Sequence, residues 1–548
     1  MRARPHRLPT LLAALLGLSC AQPVITVGIN LQTSACMDAI SADPQRDPIA
    51  PPGQAPVDTL RITLTGDGLS AVTVITPFAS DGASIPNVPL GTNRRITIDA
   101  LAGGAQGAVR SRADSGPFDV ASGGDLQLTL FLRVVDAFVY TGKDAGRCTS
   151  LITPRAGHQM TQLSDGTVLI TGGYNIDSAG ELHYLTQAEI YDPRAGTFSA
   201  VGSPELARAG HLAAPVLVNG LSQVLLMGGE GPSDSSIGPV GPFETYGQGA
   251  FVNAGSPMIP RERAAMALDV KTGYAVMAGG ANGPDTAPSV TAYSAISYFN
   301  PAQDSIIEVE EPLAQPLADA VAVSRQNVVA GGVVQGGIVL LGGVDQNGNA
   351  TAQIAGLIFR DGTAGQLDYH QYQDDRTYES APMNQLPTPR VHHAAVVVPA
   401  DDSILVLGGS TSENDGYLLT TSAVTVVDPA QALVGNATET LSQARADGCA
   451  TLLANGQVLY VGGAWGDASG VHSTASVDLI EPAGTSSVVR ALEGPSPGGD
   501  WGLQTARHKA ACLLLTDGTV LVTGGLQFQS GSPIALGSAE VYTPPGSN

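Results

Sequence analysis

PRAGHQMTQLSDGTVLITGG, residues 154–173, is nearly repeated as ARHKAACLLLTDGTVLVTGG, residues 506–525. Each stretch carries a polar turn, Asp165-Gly166 or Asp517-Gly518, followed by an aliphatic and β-branched run that stops on two glycines. Two such runs around a tight polar turn make a β-hairpin. The glycine pair allows backbones to approach where a Cβ would not fit.

Working outward, the pair recurs at 172–173, 228–229, 279–280, 342–343, 408–409, 462–463 and 524–525, each time closing an apolar run. A third element follows after a variable loop: AEIYDP (188–193), ISYFNP (296–301), VTVVDP (424–429), VDLIEP (477–482) and AEVYTP (539–544), with weaker versions near Phe251 and Phe359. A fourth strand is plain only in the first repeat, GTFSAV (196–201). One hairpin cannot bury both faces. A regular series of β-units therefore predicts stacked blades, and closing them into a ring removes open sheet edges.

Seven repeats in the order hairpin, Gly-Gly, loop, Tyr-Asp-Pro-like strand end resemble the kelch family, with galactose-oxidase-like propellers as large-repeat relatives. The resemblance spans about residues 140–544 of a propeller domain placed at 140–548. It implies an all-β, seven-bladed propeller. The chain departs from the family in lacking a Trp in the fourth strand, since Trp465 and Trp501 both lie elsewhere. The last repeat stops at its third strand, so a segment within 133–146 (VVDAFVYTGKDAGR) is predicted to close the ring.

An arginine precedes each glycine pair by a similar distance: Arg155, Arg208, Arg263, Arg325, Arg390, Arg445 and Arg507. This places an arginine at the start of each innermost strand, lining or lying beneath one mouth of the central channel. Two readings follow. Each guanidinium bridges blades through carbonyls or a carboxylate, or some face a ligand, as kelch relatives that recognise acidic peptides imply. His158, His211 and His393 share the slot three residues after their arginines, with His392 and His508 beside it. They join the candidate ligand-binding set. Packed histidines are favoured over metal ligands, and no metal or cofactor is expected.

The rest of the chain sets the context. Met1–Arg7 carries three arginines, then LPTLLAALLGLS leads to Cys20. The apolar run is too short to span a bilayer and reads as an export signal over residues 1–20. LLGLSC resembles a bacterial lipoprotein signal, with Gly17 where that family has Leu; the resemblance implies Cys20 as the lipid-attachment residue, and ordinary cleavage at the small-x-small site Ser19-Cys20-Ala21 is the rival reading. Residues 21–54 read as a flexible linker. Residues 55–135, with four alternating runs such as TLRITLTG and LQLTLFLRVV, read as a small β-sandwich, immunoglobulin-like in pattern. Cys36 and Cys148 are the candidate disulfide, and Cys449 and Cys512 are expected to be buried thiols.

Charged residues are 14% and the net charge is −23. Such a surface repels phosphate backbones and excludes nucleic acid as a partner. The expected function is non-catalytic recognition of a protein, peptide or glycan by the propeller-face loops, from a cell-envelope position where only the N-terminal lipid touches membrane. The alternative is a carbohydrate-active or copper-dependent enzyme on the same fold.

Overall fold

The computed structural model describes residues 23–33, 46–51, 53–79, 83–144, 147–233, 236–253, 258–282, 292–310, 312–330, 333–361, 367–371, 385–412, 416–428, 433–492, 501–529 and 531–546. Cys20 and Cys36 lie outside them.

Seven four-stranded antiparallel sheets form a propeller. In blade one the strands run in order Gln159–Gln162, Val168–Thr171, Glu189–Asp192 and Thr197–Ala200. The six later blades repeat that plan, and innermost strands of successive blades touch around the ring. The second strand of a blade is mostly apolar because both of its faces are buried. Val168 and Ile170 enter the cluster shared with blade seven, whereas Leu169 enters the cluster shared with blade two. Seven such clusters occupy the seven seams.

The ring closes as the sequence implied. Ala137–Tyr140 becomes the outer strand of blade seven and pairs antiparallel with Ala539–Thr543, Val139 facing Val541. The glycine pairs set the seam spacing. Gly172 has φ +59, and a Cβ on it would lie 2.2 Å from the Arg208 carbonyl oxygen of the next blade. Gly173 N–H donates to that same oxygen at 2.8 Å. Gly525 N–H does likewise to Arg155 across the closing seam, at 2.8 Å.

The preceding β domain contains β1 (Val24–Thr33), β2 (Val57–Gly66), β3 (Leu69–Pro77), β4 (Ala83–Pro89), β5 (Gly91–Ala102), β6 (Ala108–Asp114), β7 (Phe118–Val120) and β8 (Leu126–Val134). Its pairing order is β3-β2-β5-β6-β8-β1-β4, with β7 on β5, around one apolar core. This corrects the linker reading of residues 21–54. Val24–Thr33 is a strand pairing parallel with β8 and antiparallel with β4, and Val27 is fully buried. Its partner strands begin only at Ala83 and Leu126, beyond the reach of local pattern. Residues 46–51 are tied down as well: the Ser111 hydroxyl donates to Pro48 O at 2.6 Å.

The domain sits against the hairpin turns of blades one and seven. Gly116 lies beside Thr516 and Asp517, and Arg95 beside Gly518. Those turns end the inner strands, so the domain occupies the face opposite the glycine pairs.

The cysteine assignment is also corrected. Cys449 and Cys512 form a disulfide between the inner strands of blades six and seven, with Cα atoms 6.0 Å apart. Adjacent inner strands bring the two residues together although 63 residues separate them. Cys148 is disulfide-bonded.

Candidate functional site at the propeller mouth

The arginine slot is built for packing. Arg155 is fully buried and donates to Gly172 O (2.9 Å), Gln187 O (2.8 Å) and Glu189 Oε1 (2.6 Å). Glu189 in turn accepts the N–H groups of Ile152 and Thr153. Arg208 with Glu244, Arg445 with Asp478 and Arg507 with Glu540 repeat the arrangement at 2.7, 2.8 and 2.7 Å, every side chain wholly buried. The acid always stands on the third strand, paired in register with the residue two before the glycine pair: Glu189 with Ile170, Glu244 with Leu226, Asp478 with Tyr460 and Glu540 with Val522. Arg390 meets the hydroxyls of Thr425 and Thr388 instead, and burial lowers its pKa to about 10. In blade four Gly280 N–H donates to Leu317 O, so the slot holds Leu317, and the acid position holds Ala355, paired with Leu340.

Two sequence assignments are therefore out of register. In blade three the slot is filled by Arg261, buried against Met277 O and Ser297 Oγ, two residues ahead of Arg263. Arg325 lies inside the inner strand Val321–Ala330 and donates to Asp402 Oδ2 (2.6 Å) at the hairpin turn of blade five. The six slot arginines, at 0–1% exposure, present no guanidinium to a ligand.

The histidine slot is equally internal. His211 Nε2 bonds Thr171 Oγ1 (2.9 Å) and His158 Nε2 bonds Thr523 Oγ1 (2.7 Å), each reaching under the glycine pair of the preceding blade. His393 lies where that threonine is replaced by Leu341. Burial, reinforced by neighbouring arginines, lowers His158 and His393 to about 3. These are neutral packing histidines rather than a metal set.

The mouth is formed two residues beyond the arginine slot, by Gly157, Gly210, Arg263, Asp319, His392, Asp447 and Lys509. All seven have left-handed φ, between 51 and 64°. Their backbones join across blades: Gly210 N–H to Gly157 O (2.9 Å), Asp319 N–H to Arg263 O (2.8 Å), Asp447 N–H to His392 O (2.8 Å), Lys509 N–H to Asp447 O (3.0 Å) and Gly157 N–H to Lys509 O (3.3 Å). Left-handed backbone costs a non-glycine residue about 1 kcal/mol or more. Blades one and two avoid that cost with glycine. The other five carry ionisable side chains.

Those side chains neutralise one another. Arg263 pairs with Asp319. Asp447 faces His392 Nδ1 at 3.3 Å and accepts the Tyr417 hydroxyl. Burial pushes the Asp447 carboxyl up, but His392, Lys509 and the Tyr417 hydroxyl outweigh it and hold the group well below the usual carboxylate range. Around this floor stand hairpins that follow the glycine pairs of blades one, two, six and seven. The blade-seven hairpin touches those of blades six and one. Their rings make an aromatic wall. His508 stacks on Phe528 with centroids 5.0 Å apart and meets the edge of Tyr417, Tyr174 packs near Tyr184, and Trp465 packs on His472.

Among the described residues, one group brings three metal-ligating atoms within 4.8 Å of one another: the exposed Asp177, Glu181 and His183, on the blade-one hairpin. Asp177 Oδ1 there accepts the N–H groups of Ala179 and Glu181, as a turn-capping aspartate does. Cys148, Cys449 and Cys512 are the described cysteines, and all three are disulfide-bonded.

No protein-family model matches the chain, and no curated protein matches it. Among solved structures it is similar to YjhT, at 16% identity over 62% of this chain and 99% of that one, with a TM-score of 0.43. It is also similar to a fungal alcohol oxidase of the AA5 family in complex with copper, at 15% identity over 72% of this chain and 75% of that one, with a TM-score of 0.49. The chain's own strand order and ring closure make it a seven-bladed β-propeller.

Proposed function

We propose that the protein is a cell-envelope recognition protein that binds a protein, peptide or glycan at the propeller mouth, without catalysis. One observation carries the reading. Arg263, Asp319, His392, Asp447 and Lys509 occupy strained left-handed positions where glycine serves in two blades of the same chain. Retaining charged groups at such a cost points to a role outside the fold. The floor offers donors and acceptors in balance, and the half-buried rings of Tyr184, Tyr417, Trp465 and Phe528 stand beside it, which suits a polar ligand with an apolar side.

A lipid on Cys20 would stand four residues before β1, in the domain on the face opposite the mouth. The anchor would then leave the mouth facing away from the membrane. The test is a glycan and peptide array probed with the chain from residue 21, wild type and Lys509→Ala. Binding that is lost in Lys509→Ala supports the reading. Copper retained at one equivalent, with alcohol oxidation by the wild type, would replace it with the enzyme alternative.

A further inference from the structure

A free sheet edge invites another strand, and folded proteins blunt such edges with short strands, proline, charge or a cover. Here the outer strands of the blades follow that rule. Thr197–Ala200, Ala250–Asn253, Ser305–Glu308, Leu433–Asn436, Val488–Ala491 and Ala137–Tyr140 have four residues each. In the N-terminal domain one edge is β4, which carries Pro86 and Pro89 and whose pairing with β1 is broken by a register shift.

The other edge is β3, LSAVTVITP, and it is not blunted. It runs nine residues, has no charged side chain, and reaches its first proline only at Pro77. It pairs with β2 on one side and, among the described residues, with nothing on the other. Ala71, Thr73 and Ile75 lie on its exposed face, Ile75 at 46% exposure. Val72 and Val74, on the core side, are only half-buried, so the core is left thinly covered along this edge.

We propose that β3 pairs antiparallel with β3 of a second copy of this chain, about a two-fold axis at Thr73. The strand is self-complementary about that residue. Val72 faces the partner's Val74, and the small Ala71 faces the large Ile75 in both directions, which keeps the summed volume of each cross-strand pair even. Thr63 Oγ1 already bonds Thr73 Oγ1 at 3.2 Å, so the pairing extends a threonine row across the axis. The chain as a whole is strongly acidic, but this face is not. Asp99 is held by both Arg61 (2.7 Å) and Arg112 (2.7 Å) on the same sheet, so its carboxylate is compensated. The dimer joins the domains on the face opposite the mouth and leaves two mouths free, so it adds avidity to whatever each mouth binds.

The test is sedimentation equilibrium of the full chain in mild detergent, which covers the apolar N-terminal segment. Wild type should reach a dimer. Thr73→Lys and Thr73→Glu each place like charges opposite each other at the axis and should weaken association at least about tenfold. An equimolar mixture of the two should restore it, because only a two-fold at residue 73 sets the lysine against the glutamate. Both substitutions fall on an exposed face, and unchanged circular dichroism confirms folding. A monomeric wild type overturns the proposal, and so does a dimer indifferent to either charge. Single variants that dissociate without restoration on mixing overturn the register.

Discussion

Blade four supplies the design of the sharpest test of the arginine slot, because it carries Leu317 and Ala355 where the other blades pair an arginine with an acid or a hydroxyl. In blade seven, Arg507 donates to Thr505 O, Gly524 O, Ser538 O and Oγ, and Glu540 Oε1. Arg507→Leu strands a fully buried carboxylate. Glu540→Ala strands a fully buried guanidinium and also orphans the N–H groups of Gln504 and Thr505. Breaking one side of a buried pair costs about 3–5 kcal/mol, whereas replacing both sides with apolar groups removes the unpaired charge. The two single variants should therefore each lose about 4 kcal/mol, and the double variant about the same rather than the sum. That gives a coupling energy of about 3–4 kcal/mol, read from denaturant midpoints followed by near-ultraviolet circular dichroism. Additive losses, or single variants within about 1 kcal/mol of wild type, would refute the slot as a buried, mutually dependent pair.

Three further outcomes follow from the same geometry. Thr425→Glu places an acid opposite Arg390, as in blades one, two and seven, and should raise stability by about 1–3 kcal/mol in thermal melts; a lower melting temperature would show that blade five has no room for it. His158 and His393 sit at about 3 in the fold, below the ordinary histidine value of about 6.5, so the unfolded chain binds protons first as pH falls. Stability should be full above pH 6.5 and lost progressively toward pH 3, by about 2–3 kcal/mol per histidine at pH 4.5, and His158→Gln should flatten the profile. Replacing Cys449 and Cys512 by serine opens a link between residues 63 apart and should cost about 4 kcal/mol, seen as a lower denaturant midpoint without loss of the propeller's circular dichroism.

The blade plan was legible because its signals are local. Asp165-Gly166 turns, glycine pairs and Pro-ended third strands each report on a few adjacent residues, and the shortfall of one strand announced the closure by Ala137–Tyr140. The slot was legible in five blades and misread in two. Arg261 and Arg263 flank one glutamate, and spacing alone could not choose between them. Arg325 filled the numerical gap that Leu317 leaves. A usable signal was present in the third strands, where Glu189 and Glu540 stand at the same place in AEIYDP and AEVYTP. The mouth had no such signal. Gly, Gly, Arg, Asp, His, Asp and Lys share only a left-handed backbone, which residue type does not spell. β1 was missed for a different reason: it sits between β8 and β4, and no short-range pattern records pairings with strands so far along the domain.

The central claim is that the mouth residues serve a ligand and not the fold. The double variant Arg263→Gly, Asp319→Gly tests it most directly, since it restores the residue that blades one and two already use and removes both members of the ion pair together. Its binding to the ligands that wild type captures on the glycan and peptide array is the measurement to make, with unfolding monitored alongside. The expected result is lost binding by a protein whose stability stays within about 1 kcal/mol of wild type, because relief of two left-handed side chains offsets the lost pair. Undiminished binding by the folded variant, or a variant that fails to fold, would contradict the claim.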